Sequence, residues 1–337
     1  MHVLKLIALY TYVCDVYNQQ LRWNVQRFSN NGLQGQITDA ELITIYLLCL
    51  LYEEKHKLKS MHTHILRYWH SWFPTLPAYQ TFASRINRLS DALVADALVA
   101  DALVALADQL LSQPLLSQPL ANGDISVADA FGISPQTFGI SPQTFGISPQ
   151  ISIAIGDSMP MLTCWAKRAG KVARQLTDKG YCPSKGIYYY GCKLHLLALR
   201  RRGHLPQPCL AGITAASVHD LAALRPALEQ LRTDVTVLDK AYCDQQLTQT
   251  IKANNNQLLT PHKAKKGLPQ VLQHFDRVAT ELTNRAISAL RQAIESLFDW
   301  LNEKTAIQNA SKVRSQKGLI VHIFGRLAAA LLLFHHF

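Results

Sequence analysis

No two of the seven cysteines in this sequence stand in a Cys-x-x-Cys spacing, and none is grouped with histidines in a ligand-like pattern. That scatter, with an odd count, argues against a disulfide scaffold and a structural zinc site. It fits mostly buried thiols in a reducing, cytoplasmic setting. Acids are also scarce: 23 Asp and Glu stand against 34 Lys and Arg, a formal net charge of +11. Such an excess points to a polyanionic partner, nucleic acid first and an anionic membrane surface second. The shortage is sharpest from Ser158 to Ser217, where Asp178 is the one acid among Lys167, Arg168, Lys171, Arg174, Lys179, Lys185, Lys193, Arg200, Arg201 and Arg202. A tract so biased is read as phosphate-binding.

Apolar runs of membrane-spanning length are missing as well. LITIYLLCLLY (42–52) is too short, and LIVHIFGRLAAALLLF (319–334) is interrupted by His322 and Arg326, so buried helices are expected at both. LIALYTYVC near the start is followed by Asp15 with no small-residue cleavage site, and is likewise expected to be a helix.

The 337 residues, 48% apolar and 17% charged, suffice for one large globular domain or two ordinary ones. Residues 1–120 read as helical. ITDAELITIYLLCLLYEE opens on a capping box, Thr38 to Glu41, ahead of a strongly apolar helix. In LPAYQTFASRINRLSDAL, Tyr79, Phe82, Ile86 and Leu89 form one stripe, with Arg85, Asn87 and Arg88 off it. That polar side reads equally as a solvent face or a DNA-contacting one. Tandem copies follow: DALVA three times (91–105), LLSQP twice (110–119) and FGISPQ three times (131–150). They are too short for solenoid units and read as expansions, with 121–150 a linker whose Pro-containing copies are loop.

From 151 the texture changes to alternating strands and helices. Strands are expected at ISIAIGD (151–157), GIYYYGCKLHLLAL (186–199), QPCLAGITA (207–215), VTVLD (235–239) and QLLTP (257–261). Helices are expected at 219–232, after Cys243, and at about 283–304. The order predicts an α/β fold, a mixed five-stranded sheet in which a meander is extended by helix-linked parallel strands.

Two of these strands deliver carboxylates. The face carrying Ile151, Ile153 and Ile155 continues to Asp157, and that of Val235 and Val237 to Asp239, so neighbouring strands would bring both acids to one end of the sheet. Unpaired they would repel, and a divalent cation relieves that conflict. In TNRAISALRQAIESLFDWLNE, Glu295 borders the apolar stripe Ile287, Leu290, Ile294, Leu297 and Leu301. It either faces the sheet end or forms a surface pair with Arg291. Asp220 reads as a first-turn helix acid, and Asp129 is a rival for the first carboxylate. Lys193, His195 and Lys240 are read as DNA-phosphate contacts or as ordinary strand-edge polar groups.

GDSMPM with Asp157, YYYGCKLHL with Lys193 and His195, LDKAY with Asp239 and RQAIE with Glu295 resemble the DDE transposases of bacterial insertion sequences, most closely their 982 family. The resemblance implies a ribonuclease-H-like catalytic core (151–337) behind a helical N-terminal region (1–120) that binds DNA ends. It implies Asp157, Asp239 and Glu295 as the catalytic, metal-binding triad, with Asp239 bridging two Mg²⁺ or Mn²⁺ ions. Double-stranded DNA is then the partner, a homodimer or larger assembly the working form, and the bacterial cytoplasm the location. Related transposases also carry an Arg before the glutamate and a Lys after it; Arg291 fits, whereas Asn302 holds the lysine position, with Lys304 two residues on. The competing expectations are a decayed copy that only binds DNA, and another ribonuclease-H-like nuclease such as a junction resolvase.

Overall fold

Thr38 begins the first long buried helix as its spacing predicts. In the computed structural model its hydroxyl accepts from the Glu41 N–H at 3.1 Å, while its own N–H donates to Glu41 Oε2 at 2.6 Å. Residues 2–21, 37–89, 152–165, 173–182, 186–201, 203–262, 267, 269–311 and 313–335 are described. The tandem copies, Asp129, Lys167, Arg168, Lys171 and Lys185 lie outside them. The chain divides into two compact units, the first of Met1–Leu116, Pro160–Cys192 and Trp300–Phe337, the second of Ser117–Met159 and Lys193–Asp299.

The helices of the first unit are α1 (His2–Val16), α2 (Asp39–Leu51), α3 (Leu58–Tyr68), α4 (Tyr79–Arg88) and α8 (Gln316–His335). α2 is buried at Ala40 and from Leu42 to Leu50 and is apolar all round beyond its first turn, the pattern of a central helix. α4 buries Phe82 and Ile86 and leaves Tyr79 38% exposed. α8 is long and apolar enough to cross a membrane over Gln316–Phe334, yet 72% of that stretch is buried inside the protein. Its two polar interruptions meet main-chain carbonyls: His322 meets Ile307 O, and the Arg326 guanidinium donates to Thr305 O and His56 O.

The strands are β1 (Ile153–Trp165), β2 (Asp178–Cys182), β3 (Ile187–Leu199), β4 (Gln207–Ala215), β5 (Val235–Val237) and β6 (Gln257–Leu259). The helices of the second unit are α5 (Asp220–Gln230), α6 (Gln245–Ala253) and most of α7 (Gln270–Thr305). The sheet order is β2-β3-β1-β5-β6, with β4 on β3. β5 is parallel to both β1 and β6, and β2 is antiparallel to β3. This is the expected mixed sheet flanked by helices, consistent with a ribonuclease-H-like core.

Three elements exceed the sequence expectation. β2 is a sixth strand; its DKGYC buries Gly180 and Cys182 and presents no apolar alternation to reveal it. β1 runs eight residues past Asp157, and α7 starts thirteen residues before 283. The parallel centre is buried on both faces, with Ala154, Ile155, Thr236 and Val237 all at 0% exposure, as parallel strands require. Leu197, Leu224, Leu228, Leu238, Tyr242, Leu247 and Ile251 pack beside it. A β-carbon at Gly156 would lie 2.5 Å from Leu197 Cδ2 and 2.9 Å from Leu238 Cδ2. Gly156→Ala is therefore expected to destabilise the fold by about 1–3 kcal/mol, read as a lower urea midpoint at unchanged slope.

Candidate active site

Register builds the site. Ile155 of β1 is the partner of Val237 in β5. Side chains alternate along a strand, so Asp157 and Asp239, each two residues further on, leave the same face at the same level. β1 itself continues, so Asp157 lies within a strand and not at its end; what stops is β5. Asp239 then caps a short 3₁₀ turn, Lys240–Tyr242.

Both carboxylates meet one guanidinium. Arg291, on α7, places Nη2 3.0 Å from Asp157 Oδ2 and Nη1 3.2 Å from Asp239 Oδ1. The side chains are 13% (Arg291), 24% (Asp157) and 33% (Asp239) exposed, and among the described residues the buried Nε of Arg291 has no hydrogen-bond partner. Asp157 Oδ1 also accepts the Ser158 N–H at 2.8 Å. Burial raises the Asp157 pKa above the usual carboxylate value; the Ser158 N–H and Arg291 pull it down, and the Asp239 charge pushes it up. A carboxyl raised on folding stabilises while protonated, and that contribution is lost as pH rises through its folded pKa. Asp157→Asn should thus raise the melting temperature at neutral pH, with the gain fading as pH falls through the carboxylate range.

A second charged group adjoins the first. Lys193 Nζ lies 2.9 Å from Asp220 Oδ1 and 2.8 Å from Val218 O, and Ser158 Oγ donates to the same Asp220 oxygen at 3.0 Å. Asp220 does stand in the first turn of α5, but its carboxylate is spent on Lys193 and Ser158. Ser158 and this coupling were not singled out from sequence. The one available signal was that Ser158 directly follows Asp157. Tyr242 is 1% exposed, and burial together with Asp220, Asp157 and Asp239 holds its phenol protonated.

His195 is 1% exposed, its Nε2 2.7 Å from Thr214 Oγ1. Burial lowers its pKa to about 4, with Asp220 opposing and Lys193 reinforcing the shift. A histidine kept neutral on folding stabilises above its unfolded pKa, and that contribution is lost as pH falls toward 4. Melting temperature should therefore drop between about pH 6.5 and 4, and His195→Gln should flatten that slope. Of the other basic residues, Arg85 is engaged by Ile37 O and Asp39 at 2.6 and 2.8 Å, and Arg88, Arg174 and Lys240 are exposed.

Glu295 stands apart. It lies one helical turn beyond Arg291, about 40° around α7, and is exposed. Among the described residues it makes no ion pair with Arg291, and no three His, Cys, Asp or Glu side chains are grouped closely enough to hold a metal ion. The structure therefore gathers Asp157, Asp239 and Arg291, and leaves Glu295 outside the group.

The Transposase DDE domain profile matches residues 148–333, more than half of the chain. The chain belongs to the DDE transposase family. No curated protein and no solved structure matches it. The matched span includes Asp157, Asp239, Arg291 and Glu295. As a transposase the protein acts on DNA, and its family generally uses divalent metal ions. The donors fit such an ion in part: Asp157 and Asp239 are hard oxygen ligands already arranged around a positive charge. Glu295 does not complete the set in this conformation.

Proposed function

We propose that this transposase is the enzyme of a bacterial insertion sequence most like the 982 family, cleaving the element's ends and joining them to target DNA in the cytoplasm. The observation that carries this reading is the register-matched pair Asp157 and Asp239 inside the matched family span. In it, Asp157 and Asp239 hold divalent cations, Mg²⁺ or Mn²⁺, with Glu295 as the third ligand. Two such ions, when bound, supply an activated oxygen nucleophile and neutralise the leaving oxygen of an in-line phosphodiester displacement.

The chain's own residues do the positioning. The buried β1–β5 pair is a rigid mount for the two carboxylates, and the Ser158 N–H orients that of Asp157. Arg291, released from the acids, and the exposed Lys240 and Arg174 attract DNA phosphates, together with Lys167, Arg168, Lys171 and Lys185. Lys193, His195 and Arg85 hold local structure, through Asp220, Thr214 and Asp39 respectively. Residues 1–120 bind the element's ends with Arg88, 121–150 are an expanded linker, and 151–337 form the catalytic domain.

The absence of Glu295 from the gathered group also supports a second reading, a decayed copy that binds DNA without cutting it. Incubation with element-end DNA and Mg²⁺ separates the two. Cleavage and transfer support the enzyme; binding with a steep salt dependence and no cleavage supports the decayed copy.

A further inference from the structure

α7 is amphipathic in both halves, but the apolar stripes of the two halves point about 110° apart. From Ile287 onward the apolar stripe is buried: Ile287, Leu290, Ile294 and Leu297 are at most 3% exposed. In the first half the half-buried row is Asp276, Thr280 and Asn284. Asn284 Oδ1 accepts the His262 N–H at 2.7 Å, and Asp276 Oδ2 lies 3.4 Å from His262 Nδ1. Four of the apolar residues there lie on another side. Val271, Phe275, Val278 and Leu282 are 66, 68, 56 and 79% exposed, with Leu272 at 52%. At about 100° per residue Val271, Phe275, Val278 and Leu282 centre roughly 110° around the helix from the buried stripe Ile287, Leu290, Ile294 and Leu297, with Leu272 flanking them on the buried stripe's side. A helix in a soluble chain normally turns its apolar stripe inward. Here the first four turns turn it outward, and nothing among the described residues covers it.

We propose that this stripe is a self-association surface, on which α7 of a second copy lies antiparallel. The spacing favours a copy of itself. The steps from 271 to 275, 278 and 282 are four, three and four, the same in either direction, so an antiparallel partner meets Val271 with Leu282 and Phe275 with Val278. The flanks also match: Leu272 then faces Ala279, and His274 faces Glu281. Asp276, Arg277, Glu281 and Arg285 balance in charge, so the helix lacks the basic surplus that DNA or anionic lipid would select. In a chain of net charge +11, such a neutral segment lets two copies approach with little repulsion. Covering the five side chains on both copies removes on the order of 1,000 Å² from water, the lower range of specific interfaces, so the dimer is reversible.

Sedimentation of the full-length protein, without DNA or metal, tests this independently of the transposition reading. The expected result is a concentration-dependent dimer. Phe275→Glu and Val278→Glu should each weaken it about a hundredfold, with circular dichroism and melting temperature unchanged. Glu281→Lys should weaken it less, and adding His274→Glu should restore it, because the two introduced charges, of opposite sign, meet across the antiparallel pair. A wild-type monomer at every concentration would overturn the proposal, as would a dimer indifferent to Phe275→Glu or a charge swap without rescue. Unfolding of Phe275→Glu would also overturn it, by showing that the monomer itself covers this side chain.

Discussion

Asp239→Asn should lower strand cleavage and transfer by about a thousandfold or more while leaving affinity for element-end DNA nearly intact. Asn preserves the shape of the side chain and keeps an oxygen for Arg291 Nη1, which lies 3.2 Å from Asp239 Oδ1. The 3₁₀ turn that follows is closed by main-chain bonds and needs no side-chain cap from Asp239. Local structure should therefore survive, and only the negative charge is lost. Binding by exposed lysines and arginines does not depend on that charge. A gel-shift assay beside a cleavage assay on the same DNA checks the split; undiminished cleavage by Asp239→Asn would remove the carboxylate assignment.

Arg291→Ala is expected to have the second large effect, and its sign depends on divalent cation. Without metal the substitution leaves Asp157 and Asp239 facing each other with their shared cation gone. One acid must then take up a proton or the site must open. Breaking a fully buried ion pair costs about 3–5 kcal/mol. These carboxylates are 24% and 33% exposed, and water screening reduces the expected loss to about 1–3 kcal/mol. Adding Mn²⁺ should recover more stability in Arg291→Ala than in the wild type, because the ion no longer competes with a tethered guanidinium. Arg291→Lys should lie between, since one ammonium does not span two carboxylates as a planar fork does. Thermal melts with and without Mn²⁺ measure all three. An equal metal-induced shift in wild type and Arg291→Ala would show that the arginine and the cation do not share a place.

The strands that carry the two aspartates were legible because burial on both faces writes itself as a short β-branched run. Ile153, Ile155, Val235 and Val237 stand in that pattern, and the alternation fixed the face of Asp157 and Asp239. The capping box at Thr38 and the buried stripe from Ile287 to Leu301 were legible for similar reasons, since each is a local pattern with one physical cause. β2 was not, because a short strand paired on one side and largely exposed needs no apolar alternation. The first half of α7 was missed although Val271, Phe275, Val278 and Leu282 keep a helical spacing; polar residues on its inner side hid where the body lies. Arg291 stood in the family pattern, but its partners lie 134 and 52 positions away in sequence and only the fold brings them together. Ser158 and Asp220 were similarly silent, since a hydroxyl and a helix-start acid carry no long-range signal.

The most direct measurement is Mn²⁺ binding to the full-length protein, followed by electron paramagnetic resonance, in the wild type, Asp157→Asn and Asp239→Asn. If the two register-matched carboxylates form a shared cation site, each substitution should weaken binding about tenfold or more, and Arg291→Ala should strengthen it. Unchanged Mn²⁺ affinity in both Asp157→Asn and Asp239→Asn would contradict that site.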